Sequence, residues 1–431
     1  MSKRNLTDLG HDILLKVCAE IFEDNPRQRV ALSWCGETRV ENEPPCIFPG
    51  PPSQILLDLA PIHSELAAAT RPYIWSEVLL AFGSEDPTEA GIGRLERAEQ
   101  PHIAPYVRAL FLSFNFCGDD EDHVPQMVSI VGRFTGLRAV CLGTFQSYRQ
   151  PVMYAPLAAA LGAHPSIDTL VVWHMTRAMD LIAEDSTRVY HVQLEYCHEG
   201  STVLLARPAR LASLRLQNME QQGIAAYMPA GIWDSLENLA PGSGRTPALR
   251  TLDLSEISYY SPGRSGWMDL GRRLSRLRSF TYAGRGTIEM AEARQLLGAF
   301  RHVRELHFIA PSDGELSDED LEEVELAPEF VALLSKMPLE RLILNVWVPA
   351  YLLEDDANDP EEIGYAAVEE LATTCPALEG VQLRYLCEGM GCEAAPVILE
   401  YSIKKVGEEA MVEVVEPKPL EGTILAFLDW R

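Results

Sequence analysis

Four groupings in the sequence hold residue types that could do chemistry. Gly284-Arg-Gly286 could open a phosphate cradle, but it lacks a third glycine and follows no dinucleotide-type strand and turn. Cys387 and Cys392 could ligate zinc, yet their spacing is wider than a usual zinc knuckle and no second pair stands nearby. They read as a loop or core pair. His191, Cys197 and His198 could supply a base and a nucleophile. Strand alternation puts His191 and Cys197 on one face and His198 on the other, so the three do not converge. Carboxylates are plentiful, but they gather in loops without the apolar surroundings that would shift their pKa. No Gly-x-Ser-x-Gly occurs. The expectation is a protein that is not an enzyme, with no metal and no cofactor.

The elements that would position these residues repeat. Leu249-Arg-Thr-Leu252-Asp-Leu254 sets an apolar residue, another three along, and a third two further on. The spacing recurs at Val107/Leu110/Leu112, Leu137/Val140/Leu142, Ile167/Leu170/Val172, Val189/Val192/Leu194 and Leu211/Leu214/Leu216. It continues at Leu277/Phe280/Tyr282, Val303/Leu306/Phe308, Leu339/Leu342/Leu344 and Leu378/Val381/Leu383. Successive copies start 22 to 39 residues apart, a period that signals stacked structural repeats. The last two positions of each copy alternate as a strand does, and the first anchors the turn leading in. Helix-like stretches such as Trp267 to Leu274, Met290 to Phe300 and Ala366 to Thr373 fill the intervals. Strand, crossover and parallel strand in one sheet connect right-handedly. The fold expected is therefore an α/β solenoid of the leucine-rich-repeat kind, a horseshoe with its strands on the concave face. Val397 to Ile403 and Met411 to Val415 alternate around Gly407 as a hairpin, expected to cap residues 393–431.

Composition sets bounds on function. A chain of 431 residues, 47% hydrophobic, can bury a large core. Its formal charge of −27, from 63 acidic against 36 basic side chains, repels nucleic acid and anionic membrane at long range. Neither a secretory leader nor an apolar run of membrane-spanning length is present, so a cytoplasmic or nuclear location is expected. Nine cysteines in unpatterned, mostly apolar places read as reduced thiols packed in a core.

Residues 1–80 differ from the repeats. Ile13, Leu14, Val17, Cys18, Ile21 and Phe22 form a wide apolar stripe of helical period. Residues 23–52 hold six prolines and read as a long irregular loop. A short helix carrying Ile55, Leu56 and Leu59 follows Ser53, and a further helix is expected from Pro61 to a stop at Arg71-Pro72. Trp75-Ser-Glu-Val78-Leu-Leu80 reads as the first strand of the solenoid, which extends to residue 392.

Leu9-Gly10-His11-Asp12-Ile13-Leu14 resembles the opening Leu-Pro-x-Glu-Ile-Leu of an F-box, with Asp12 in the acidic place and Gly10 where proline is usual. The stretch from Ile55 through Pro72-Tyr-Ile-Trp75 to Leu80 resembles its second half. With leucine-rich repeats downstream, the layout resembles F-box/leucine-rich-repeat proteins, especially the divergent ones of mushroom-forming fungi. That resemblance implies a substrate-receptor subunit of a Skp–cullin–F-box ubiquitin ligase, a monomer when free, with an unknown protein as substrate. It implies that Leu9, Ile13, Leu14, Leu59 and Trp75 dock on a Skp-type adaptor. The alternative is an interaction scaffold whose F-box no longer binds the adaptor. On the strands, the residue before the last apolar one should face away from the helices. Phe111, Val171, Arg215, His307 and Ile343 are then either solvated or the lining of a protein-binding surface, and the apolar three point to contact.

Overall fold

The computed structural model describes residues 10–24, 29–31, 47–49, 54–82, 100–114, 124–144, 155–173, 191–195, 212–217, 249–254, 263–282, 288–311, 324, 326–349, 360–388, 397–406 and 409–415. The chain packs as two units whose boundary falls between His191 and Val192, inside the repeat region.

The first unit opens with three helices, α1 (His11–Asp24), α2 (Gln54–Leu59) and α3 (Ser64–Ile74). The Gly10 carbonyl receives the Ile13 and Leu14 N–H groups and starts α1 (2.9 and 3.1 Å), while Asp12 in the first turn suits the positive end of the helix dipole. Leu14 and Cys18, one turn apart, pack with Leu56, Leu66 and Ala69 into a closed cluster. Tyr73 braces it by donating its hydroxyl to the Leu15 carbonyl at 3.3 Å. Two expectations need correction. Pro61 lies in a turn, and α3 starts at Ser64 because the His63 ring caps it, accepting the Glu65 N–H at 3.2 Å. Nor does Pro72 stop the helix. It removes one intrahelical donor, and the chain continues to Trp75, whose N–H reaches the Arg71 carbonyl at 3.0 Å. The proline-rich stretch is also less irregular than its composition suggests. It contains a short antiparallel pair, β1 (Arg29–Ala31) and β2 (Ile47–Pro49), with Val30 opposite Phe48.

Strands β3 (Glu77–Phe82), β4 (Ala109–Phe114), β5 (Ala139–Thr144) and β6 (Thr169–Trp173) follow in parallel and in sequence order. Leu110, Val140 and Leu170 stand in register, all buried, as the repeat spacing requires. The crossovers carry α4 (Val124–Val131) and α5 (Ala155–Ala163).

The boundary falls within β7 (His191–Glu195), and the second unit continues the pattern with β8 (Ser213–Gln217), β9 (Thr251–Asp253), β10 (Ser279–Tyr282), β11 (Glu305–Ile309), β12 (Arg341–Pro349) and β13 (Gly380–Glu388). From β8 to β13 each described pairing is parallel. Helices α6 (Gly263–Arg273), α7 (Met290–Ala299), α8 (Pro328–Leu334) and α9 (Pro360–Thr374) occupy the crossovers. Between helices and strands runs a file of aromatic rings. Phe280 stacks on Phe300 with centroids 4.2 Å apart, and Trp267 meets Tyr282 edge-on at 6.0 Å. Gly271 lets α6 approach α7, since a Cβ there would overlap the Ala299 carbonyl. The antiparallel hairpin β14 (Val397–Val406) and β15 (Glu409–Val415) pairs with β13 where the alternation places it.

The register is held at the start of several parallel strands by one recurring device. A single carbonyl of one repeat receives two consecutive N–H groups of the next. In the first unit Ser76 binds Arg108 and Ala109, and Arg108 binds Arg138 and Ala139. In the second, Arg250 binds Arg278 and Ser279, Arg278 binds Arg304 and Glu305, and Arg304 binds Glu340 and Arg341, all between 2.7 and 3.1 Å. With the buried apolar triplets this defines a leucine-rich-repeat type of α/β architecture. No helix among the described residues is long and apolar enough to cross a membrane.

Candidate functional site

Strand alternation assigns each buried repeat residue to the helix side and its neighbours to the opposite face. In the first unit that opposite face is apolar at Leu79, Phe111, Cys141 and Val171, which stand in register. Phe111 and Val171 are 1% and 3% exposed, so the apolar platform expected of them is not open to a ligand. The physical reason is that strand periodicity fixes which way a side chain points and says nothing of what packs over it. Here β4 is buried at both even and odd positions from Ala109 to Leu112.

The second unit is different. Arg215, Asp253, Thr281, His307, Ile343, Gln382 and Glu400 stand in one continuous register across β8 to β14. A parallel row two residues further on contains Ile309, Asn345 and Arg384. Adjacent strands lie about 4.8 Å apart, so these side chains are lateral neighbours. The sheet thus brings together three of the five residues read from sequence, Arg215, His307 and Ile343, all half-buried. It separates them from Phe111 and Val171, which belong to the other unit.

The polar members engage one another, both across strands and along β13. His307 Nε2 and Asn345 Oδ1 lie 2.9 Å apart. Arg384 donates from Nε and Nη2 to Gln382 Oε1 at 3.0 and 2.9 Å. Arg215 Nε approaches Asp253 Oδ2 at 3.7 Å, and Arg341 Nη2 approaches Glu400 Oε1 at the same distance. Burial is the main force on the charges. It lowers the His307 pKa to about 4, helped by the positive Arg384 and opposed by the hydrogen bond to Asn345. It also lowers Arg215, against the pull of Asp253, and Arg384, where neighbouring Arg341 adds to the cost and Asp253 offsets it. An imidazole held neutral near pH 7, with one nitrogen already engaged, orients and recognises; it is a poor proton acceptor. Among the described residues no cluster of three or more His, Cys, Asp or Glu could hold a metal ion.

Reading one position per strand misses Asn345, Arg384, Arg341 and Glu400. The available signal was the same alternation carried two residues further along the long strands β12 and β13.

In the head, Leu14 is fully buried and Ile13 is 49% exposed. Leu14 therefore belongs to the helical core and not to a docking surface, because its neighbour one turn on, Cys18, faces the same cluster. Leu59 and Trp75 are half-buried, and Leu9 lies outside the described residues. Ile55 and Ile62, at 47% and 65% exposed, are further apolar side chains at the surface of the head. Of the possible chemical groupings, His191 is half-buried on β7 with its pKa lowered by burial, while Cys197 and His198 lie outside the described residues. Cys387 is the penultimate residue of β13, and Cys392 and Gly284-Arg-Gly286 lie outside the described residues. Cys18, Cys141 and Cys375 are free thiols, and burial raises the pKa of Cys18 and Cys375.

No protein-family model matches the chain, and no curated protein matches it in sequence. Among solved structures, the crystal structure of a TLR13–ssRNA13 complex is similar at 15% identity with a TM-score of 0.37, covering 68% of this chain. The chain spans 38% of that structure's length.

Proposed function

We propose that this protein is a non-enzymatic recognition subunit that holds a protein ligand on the strand face of its second unit. The supporting observation is the ladder from Arg215 to Glu400, half-buried at Arg215, His307 and Ile343 and buried at Asp253 and Gln382, which places charged, amide and aliphatic groups in fixed lateral register on rigid strands. Rigid placement lowers the entropic cost of binding, because few rotamers remain to be frozen. The finer reading is a substrate receptor of a Skp–cullin–F-box ligase, working in the cytoplasm or nucleus by proximity rather than by acid–base chemistry. It is supported by the F-box resemblance of the first 80 residues and by exposed isoleucines on a three-helix head, with Ile13 on α1 and Ile55 on α2. Such side chains suit burial in an adaptor groove.

Co-expression with a Skp-type adaptor, then size-exclusion chromatography with light scattering, tests the finer reading. A one-to-one complex is expected for the wild type. Ile13→Asp should abolish it while leaving the melting temperature nearly unchanged, because Ile13 is half-exposed and outside the helical core. A wild type that ignores the adaptor would leave the second reading, a scaffold that does not enter the ligase. Unchanged binding by the variant would remove Ile13 from the contact.

A further inference from the structure

The second unit carries one guanidinium whose charge is not balanced locally. Arg384 is half-buried on β13, and its hydrogen bonds go to the neutral amide oxygen of Gln382. Among the described residues no carboxylate lies within ion-pairing distance of it. Asp253 attracts it only beyond ion-pairing distance, and Arg341 repels it more strongly than Asp253 attracts it. Arg341 itself turns toward Glu400. Taking a guanidinium out of water without an anion beside it is costly, and proteins normally supply a partner. Five N–H donors belong to a guanidinium, and two here are committed, so three remain. Asn345, the register partner of Arg384, spends its side-chain oxygen on His307 and keeps its amide NH₂. Arginine fork and amide NH₂ stand side by side, both donors, with Ile343 and Ile309 in the neighbouring register positions.

We propose that Arg384 and Asn345 form a recognition site for one carboxylate of a protein ligand, either a C-terminus or an Asp or Glu side chain. This rests on the reading of the strand face as the ligand-binding surface and names the chemistry it selects. A carboxylate matches the fork of a guanidinium with two parallel hydrogen bonds and brings a single negative charge. A phosphate dianion fits less well, because Asp253, Glu305 and Glu400 stand on the same face and repel the second charge. His307 engages the oxygen of the buried Asn345 amide, which leaves the NH₂ as the group's remaining donor, and brings no charge of its own to the anion at neutral pH.

The test is a titration of the full chain with acetate and, separately, with inorganic phosphate at constant ionic strength. Binding is followed by the ring signals of isotope-labelled histidine, of which His307 is the reporter. Saturable acetate binding that moves the His307 signal is expected, with at least tenfold weaker binding in Arg384→Gln and in Asn345→Ala. Arg304→Gln, an exposed arginine at the start of β11, should bind as the wild type does. No saturable acetate binding by the folded wild type, or equal loss in Arg304→Gln, would overturn the site. If Arg384→Gln fails to fold, Asn345→Ala and the wild-type titration still decide. Phosphate binding more tightly than acetate would overturn the carboxylate assignment. Adaptor binding is measured on the same preparation: a complex without anion binding sinks this site alone, and anion binding without a complex sinks only the ligase reading.

Discussion

At the scale of single residues, His307 makes the stability of the second unit depend on pH. Its folded pKa, about 4, lies below the ordinary histidine value near 6.5. A neutral ring is favoured in the folded state, so the unfolded chain binds the proton first as pH falls. The contribution of His307 is complete above about pH 6.5, and it is lost between there and about pH 4. The difference corresponds to about 3 kcal/mol. His164 and His191 in the first unit are lowered by burial in the same direction and add to the acid sensitivity. Urea unfolding of the wild type and of His307→Gln at pH 7 and pH 4.5 isolates the one residue. The wild type should lose about 2 to 3 kcal/mol more than the variant across that interval, and parallel losses would mean that the ring is not shielded.

At the scale of elements, helix and strand placement was legible in the sequence because the apolar triplets report geometry directly. Leu252, Phe280, Leu306, Leu342 and Val381 stand in register at the core, each at the middle position of its triplet. What periodicity does not show is what covers the other face, and Phe111 and Val171, expected there to be accessible, are buried. Arg384 was missed for a different reason. Strand length is set by pairing with a neighbour, and the triplet does not reveal that β12 and β13 run on to Pro349 and Glu388. Helix packing gives a paired prediction. Gly271 on α6 faces the Ala299 carbonyl, whereas a Cβ at Gly298 on α7 would meet nothing within 4 Å. Gly298→Ala should stabilise by up to about 1 kcal/mol through helix propensity. Gly271→Ala should cost roughly 1–3 kcal/mol net, because the obstacle is backbone and cannot rotate away. Urea midpoints of the two variants check both signs.

At the scale of the molecule, two units each with its own buried strands make all-or-none unfolding unexpected for the 431-residue chain. In repeat architectures each unit of structure contacts mainly its neighbours, and cooperativity weakens with length. Calorimetry should give a van't Hoff enthalpy below the calorimetric one. Equal values would show that both units melt as one. Function scales the same way. The residues of the candidate site come from distant points of the sequence, from Arg215 to Glu400, yet all lie on strands of one unit.

The doubled hydrogen bond that recurs at strand starts also bears on how such a chain can change over generations. Arg250, Arg278 and Arg304 occupy the same place in successive repeats, each offering its carbonyl to the next arginine or to its successor. If the segment from Arg278 to Val303 were lost, the N–H groups of Arg304 and Glu305 would meet the Arg250 carbonyl in the geometry now made by Arg278 and Ser279. The joint would still read as an apolar triplet, Leu277 giving way to Leu306 and Phe308. Whole repeats can therefore be gained or dropped without inventing a new interface, while the ladder of strand-face side chains shortens or lengthens by one rung.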